Sequence, residues 1–235
     1  MFFDKVLIIV RHGNTFREGE VSFRVGARTD LRLVEEYRSL AAARVIGAYN
    51  FVPTQVFAAP LLRTRQTAEL IVRGLGLGVP ILDAAEFTEV DYGVDEGRTE
   101  EEVMKRLGTF YLGEGADLDA VMCRGREEIE RWNVEGVVPV GWRVDVGKII
   151  SDWRRFAGGI ANGETVVVVS SNGIIRFAPY ILDVDDCENF CKNHNLKITT
   201  AGVCIFVQKN NKWKITHWNI KPPIEKLLPE QQFNP

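Results

Sequence analysis

The sequence predicts an α/β protein: a three-layer α/β/α sandwich on a largely parallel central sheet, with a helical and loop lid inserted into it. Three observations carry that expectation. Residues 6–10 and 166–169 are unbroken apolar runs rich in β-branched side chains, the pattern of strands buried on both faces. Apolar residues at helical spacing lie between such runs, so strands alternate with helices and the sheet is layered by them. A stretch rich in charge and glycine, about 91–141, interrupts the alternation and reads as a lid rather than a separate domain, which makes 1–235 a single domain.

The elements follow in chain order. The first strand, Val6-Leu7-Ile8-Ile9-Val10, runs directly into Arg11-His12-Gly13. The apolar start before it has no basic region and no small-residue cleavage site, so it is read as strand and not as a signal peptide. A helix is expected over 33–49 and a short strand over Gln55–Ala58. Leu61, Ala68, Ile71, Val72 and Leu75 then repeat at helical spacing behind Pro60, a residue suited to a helix start. Within the lid, short helical pieces are expected at 99–107 and 126–132. Val146, Ile149, Ile150, Trp153 and Phe156 form an i, i+3, i+4, i+7 stripe that stops at Gly158-Gly159. The strand at 166–169 follows, and then 202–208 and 213–218 flank Lys209-Asn210-Asn211-Lys212 as a terminal β-hairpin. A tail at 221–235, with four prolines, is expected to be irregular.

Composition narrows the function. With 46% apolar and 26% charged residues and a net charge of −3, the chain resembles an ordinary soluble protein and offers no nucleic-acid or anionic-membrane surface. An anionic ligand would have to be held by a local cluster of cations. No apolar stretch approaches the length of a transmembrane helix. Cys123, Cys187, Cys191 and Cys204 lack zinc-like spacing; they read as free thiols, with Cys187 and Cys191 one helical turn apart, and this favours the cytoplasm. The sequence leaves the oligomeric state open, a homodimer included.

The chemistry starts at Arg11-His12-Gly13. Ligands of an open α/β sheet bind past the carboxyl ends of its strands, where this tripeptide falls. A neutral imidazole there is a nucleophile for phosphorus, Arg11 offers planar donors to phosphate oxygens, Gly13 lets backbone approach, and Thr15 adds a hydroxyl.

Five segments in order resemble the histidine phosphatase superfamily, the phosphoglycerate-mutase-like family. They are Arg11-His12-Gly13-Asn14-Thr15, the 26–31 segment containing Arg28, the 59–68 segment containing Arg63, the 87–93 segment containing Glu89, and Glu96-Gly97-Arg98-Thr99. The likeness covers residues 6 to about 101 and returns at 164–177. It implies a phosphatase acting on a small phosphorylated metabolite or binding phosphate ion, with no metal and no organic cofactor. His12 would carry the phosphoryl group, Arg11 and Arg63 would hold its oxygens, and Glu89 would be the general acid, with Asp91 its nearest substitute. Arg28 would add a cation.

Two positions depart from the family pattern. Its second histidine follows a late strand, and here the matching segment reads Ser170-Ser171-Asn172-Gly173, with Ser171 in the histidine's place. A serine donates a hydrogen bond but brings no charge. Asn172 and Gly173 offer backbone N–H groups to an anion, while Arg176 is read as a surface residue. Glu18 stands where mutase-type members carry a phosphate-contacting asparagine. The paired-arginine clamp of the glycolytic mutases is also missing, Arg124 and Arg126 being the nearest match, so hydrolysis is favoured over mutase activity. A family member that binds a phosphorylated ligand or a protein partner without turnover is the rival reading. Trp132, Trp142 and Arg143 are candidate lid contacts.

Overall fold

A computed structural model describes residues 3–223. Its centre is a six-stranded sheet in the order β3-β2-β4-β1-β5-β6. The strands are β1 (Lys5–Arg11), β2 (Gln55–Ala58), β3 (Ile81–Asp83), β4 (Thr165–Ser170), β5 (Val203–Lys209) and β6 (Lys212–Ile220). β3, β2, β4 and β1 run parallel; β5 is antiparallel to β1 and β6 to β5.

The apolar runs of β1 and β4 lie side by side in register, Leu7 opposite Val166 and Ile9 opposite Val168. Because strand side chains alternate between faces, one run feeds two cores. Leu7, Ile9, Val166 and Val168 enter one cluster, and Val6, Ile8, Val10, Val167 and Val169 enter the other. Helices α1 (Tyr37–Ala48) and α2 (Leu62–Gly74) cover the second cluster through Ala42, Ile46, Ala68 and Ile71. Helices α3 (Glu100–Leu112), α4 (Leu118–Glu135), α5 (Val146–Gly159) and α7 (Val184–Asn193) cover the first, with Leu107, Trp132, Trp153 and Cys187. The three layers expected from the sequence are therefore present. α6 (Asn172–Ile175) is a single turn after β4. The terminal hairpin closes through Asn210 and Asn211 at φ 52° and 61°, the left-handed pair that a two-residue turn matched to strand twist requires.

Several boundaries differ from expectation for identifiable reasons. α1 begins at Tyr37 rather than at 33, because the preceding backbone is bonded elsewhere, Leu33 N–H donating to Gln66 Oε1 and Val34 N–H to Asn14 O. In the lid the expected short pieces are full helices. α3 starts in a capping box between Thr99 and Glu102 and continues to Leu112, and α4 runs 18 residues from the Asp117 cap to a left-handed Gly136. Gly125 sits inside α4 not as a breaker but as a contact: a Cβ there would fall 1.8 Å from the Met104 carbonyl oxygen, and one on Gly108 would fall 1.8 Å from that of Val121. The two helices thus touch backbone to backbone. β3, of three residues, was not expected, and of α7, which buries only Cys187, just the turn between Cys187 and Cys191 was.

The four cysteines are free, with the Cys187 and Cys191 sulfurs 4.0 Å apart on successive turns of α7. No helix among the described residues is long and apolar enough to cross a membrane. Residues 221–223 carry no regular structure, and the rest of the expected tail lies outside the described residues.

Candidate active site

The parallel ladder extends past the strand ends and holds four chain segments side by side. His12 N–H donates to the Ser170 carbonyl (3.0 Å), Ala59 N–H to that of Val169 (3.1 Å), and Ala84 N–H to that of Ala58 (2.9 Å). His12 follows β1, the helix bearing Arg63 follows β2, Glu89 follows β3, and Ser171 follows β4. Four residues far apart in sequence therefore meet at one edge of the sheet, where an open α/β sheet binds its ligands. His12 and Glu89 line a cleft of about 780 Å³, together with Arg11, Thr15 and Asn172. Arg63 and Ser171 lie fully buried beneath it.

His12 is buried, and its Nδ1 lies 2.7 Å from the Gly13 carbonyl oxygen. A carbonyl only accepts, so Nδ1 carries the proton and Nε2 keeps its lone pair. Burial, then the charges of Arg11 and Arg63, hold His12 well below the usual imidazole value of 6.5, against a smaller opposing effect of the Gly13 bond. Burial and the two guanidinium groups thus disfavour the charged ring, and in its neutral form Nε2 is the nitrogen without a proton. Gly13 is itself fixed, its N–H donating to Thr67 Oγ1 at 3.0 Å, and Thr67 in turn donating to the Arg63 carbonyl at 2.8 Å.

Arg63 is fully buried on the first turn of α2. Its Nη1 donates to Thr29 O at 2.7 Å and its Nη2 to Gly26 O at 3.2 Å, while its Nε has no protein partner. Asp30 accepts from Leu62 N–H at 2.7 Å and so ties the 26–31 segment to the start of that helix. Arg11 donates to Ile198 O at 2.5 Å and likewise leaves its Nε unpartnered. Ser171 Oγ, fully buried, is a third unpartnered group. Buried donors are ordinarily satisfied; these three lack protein partners, as do the Nε groups of Arg24, Arg38 and Arg176.

Glu89 is buried and accepts from Val90 N–H at 2.9 Å and from Gly173 N–H at 3.4 Å. Burial raises its carboxyl above the usual value of 4.5, and those two N–H donors with Arg63 and Arg11 only partly offset it. Ser170 Oγ donates to Phe87 O at 2.7 Å, which pins the turn that presents Glu89. Gly173 is needed at its position, since a Cβ there would come within 2.3 Å of Glu89 Oε1. Asn172 faces the cleft but spends its Oδ1 accepting from Ile198 N–H at 2.8 Å, thereby ordering the carbonyl that holds Arg11.

Other expected residues lie elsewhere. Arg28 does not line the cleft; its guanidinium is committed to Asp91 (3.2 Å), Glu96 (3.3 Å) and Gly93 O. Asp91 accepts from Gly93 N–H as well and does not face the cleft, so it is not a substitute for Glu89. Arg176 is not at the surface: it is 2% exposed, donates to Trp132 O at 3.0 Å, and lies over the Trp132 ring. Trp132 and Trp142 are core residues, and Arg143 is exposed beside Asp91. Arg124 pairs with Glu127 and Glu128. Glu18 does face the cleft and is exposed. His194 stacks on Phe190 and His217 packs on Tyr49; neither lines the cleft, so the site holds one imidazole. Arg24, Tyr92 and Lys197 line the cleft without having been singled out in sequence. Arg24 lies over the Tyr92 and Trp142 rings and bonds Glu100 at 2.6 Å.

The family model described as "Histidine phosphatase superfamily (branch 1)" matches residues 7–135. No curated protein sequence matches the chain. Among solved structures, the native mycobacterial glucosyl-3-phosphoglycerate phosphatase superposes with a TM-score of 0.64 at 18% identity, covering 91% of this chain and 98% of that one. The same mycobacterial enzyme with inorganic phosphate gives 0.63 at 18% identity, covering 92% and 98%. A histidine-to-alanine variant of Entamoeba histolytica phosphoserine phosphatase, in complex with phosphoserine, gives 0.58 at 17% identity, covering 92% and 98%. At such identities these likenesses are of fold.

Proposed function

The chain belongs to the histidine phosphatase superfamily, and on that premise we propose that it hydrolyses a small phosphate monoester through a phosphohistidine on His12. The observation that carries the reading is the His12 tautomer: Nδ1–H bound to the Gly13 carbonyl and a neutral ring kept so by burial between two arginines. In the first step Nε2 forms a bond to phosphorus as the ester P–O bond breaks, and the Glu89 carboxyl gives its proton to the leaving oxygen. In the second, water attacks phosphorus, Glu89 takes the water's proton, and the P–N bond breaks to release phosphate. Arg11 and Arg63 hold the phosphoryl oxygens through both steps, where positioning and charge count for most. Mycobacterial and amoebic structural relatives whose complexes hold phosphate or phosphoserine support a small phosphorylated ligand.

The protonation states suit the chemistry. With ordinary values a glutamic acid at 4.5 would lose its proton before a histidine at 6.5 lost its own. Here the carboxyl is raised and the imidazole lowered, so the shifts move toward the state that has the acid protonated and the base free.

In this reading the buried, unpartnered Ser171 hydroxyl stands in for the second histidine and adds no charge, and no other imidazole lines the cleft. This observation favours the second reading, a phosphate-binding protein of low turnover. Phosphate release from a panel of small phosphate esters, with His12→Ala and Ser171→His alongside, separates the two. Hydrolysis predicts release by the native chain, none by His12→Ala, and roughly 10²–10³ faster release by Ser171→His, the worth of one charged donor at such a site. A silent native chain that Ser171→His activates indicates binding without turnover. Silence from both, with no phosphate binding, refutes the phosphatase reading.

A further inference from the structure

The outer cleft carries a feature that phosphoryl transfer does not use. Phe16 and Phe23, both half-buried, meet edge to face with ring centroids 4.9 Å apart, and both line the cleft together with Val25, Val34 and Tyr37. Two cations of that wall are paired, though each keeps a buried Nε without a hydrogen-bond partner. Arg24 bonds Glu100 at 2.6 Å and Arg38 bonds Glu35 at 2.6 Å. Arg17 and Lys197 make no ion pair among the described residues, and the unpaired carboxylate of Glu18 shares the cleft with them. Among the polar side chains of this cleft of about 780 Å³, the Phe16–Phe23 pair is an aromatic surface that suits a flat apolar group.

We infer that Phe16 and Phe23, with Tyr37, form a leaving-group subsite, and that the substrate is a phosphate monoester whose alcohol carries a flat, uncharged ring. This rests on the phosphatase reading of the same cleft. The phosphate occupies the floor at Arg11 and His12, and the ring stacks on the wall outside it.

Phosphonates test this because their P–C bond survives the enzyme. Calorimetric titration of the full chain with phenylphosphonate, 2-phenylethylphosphonate and methylphosphonate compares ligands with and without a ring on one phosphoryl head. The expected result is that at least one ring-bearing ligand binds roughly tenfold tighter than methylphosphonate, the increment of one aromatic stack. The ratio should collapse in Phe23→Ala and also in Phe23→Leu, which keeps apolar bulk and guards against misfolding. Equal affinity of all three ligands, with methylphosphonate binding intact, overturns the subsite and spares the phosphate site. Absence of binding by all three overturns the phosphate-site reading and the subsite with it.

Discussion

Replacing Gly173 by alanine should disable the site while leaving the fold nearly untouched. The new Cβ would stand 2.3 Å from Glu89 Oε1 and 3.0 Å from Val90 Cγ2. Ordinary contact begins near 3.4 Å, so the carboxylate must retreat by about 1 Å, and its 3.4 Å bond from Gly173 N–H is lost or redirected. A misplacement of about 1 Å at a catalytic group costs on the order of 10²-fold in rate. The stability cost is small, because the atom that yields is the end of a side chain beside the cleft; about 1 kcal/mol is expected. The assay is kcat on a phosphate ester with a poor leaving group, where the acid matters most, beside thermal unfolding. A Gly173→Ala protein within threefold of native kcat would show that Glu89 is not the acid. One that loses most of its stability would show that the loss of rate reports folding instead.

Three further outcomes follow from the geometry. The rate requires His12 neutral and Glu89 protonated. The His12 depression therefore moves the acid limb of the pH profile below 6.5, and the Glu89 elevation moves the alkaline limb above 4.5; kcat should follow a bell between these two limbs, and an alkaline limb unmoved by Glu89→Gln would contradict the assignment. Gly125→Ala should lower stability by about 1–3 kcal/mol, because its Cβ would collide with backbone at the Met104 carbonyl and force α3 and α4 apart; denaturant unfolding checks it, and an unchanged midpoint would mean that the helices are not in backbone contact. Asp95→Ala should cost about 1–3 kcal/mol, since buried Asp95 accepts from Arg106 Nε (2.6 Å), Arg106 Nη2 (2.5 Å) and Trp142 Nε1 (2.8 Å), and its loss leaves the Trp142 N–H unpartnered and Arg106 with Val140 O alone. A shift of less than 1 kcal/mol in chemical denaturation would show that the network stabilises little.

What the sequence discloses depends on how local the cause is. β1, β4, α2, α5 and the terminal hairpin are legible because burial imposes its period on a few consecutive residues. β3 escapes because three residues at a sheet edge, with Leu82 and Asp83 exposed, carry no period. α4 reads short because Gly125 breaks the pattern that a helix otherwise shows, although the reason for Gly125 is the neighbouring helix. His12, Arg11, Arg63 and Glu89 lie near one another because strand ends converge by rule, and that proximity is legible in the sequence. Arg28 was misplaced because Asp91 and Glu96, some 60 residues on, draw it away. Arg24, Tyr92 and Lys197 reach the cleft through loops, and nothing in local sequence announces such convergence.

The central claim is that His12 carries the phosphoryl group, and the most direct test is to look for it there. The chain is mixed with a reactive phosphate ester, quenched rapidly at alkaline pH where phosphohistidine survives, digested, and mapped by mass spectrometry. The account predicts an acid-labile phosphoryl group on His12, accumulating further where Ser171 slows its hydrolysis, and absent from His12→Ala. Phosphate release that continues at the native rate in His12→Ala would contradict it.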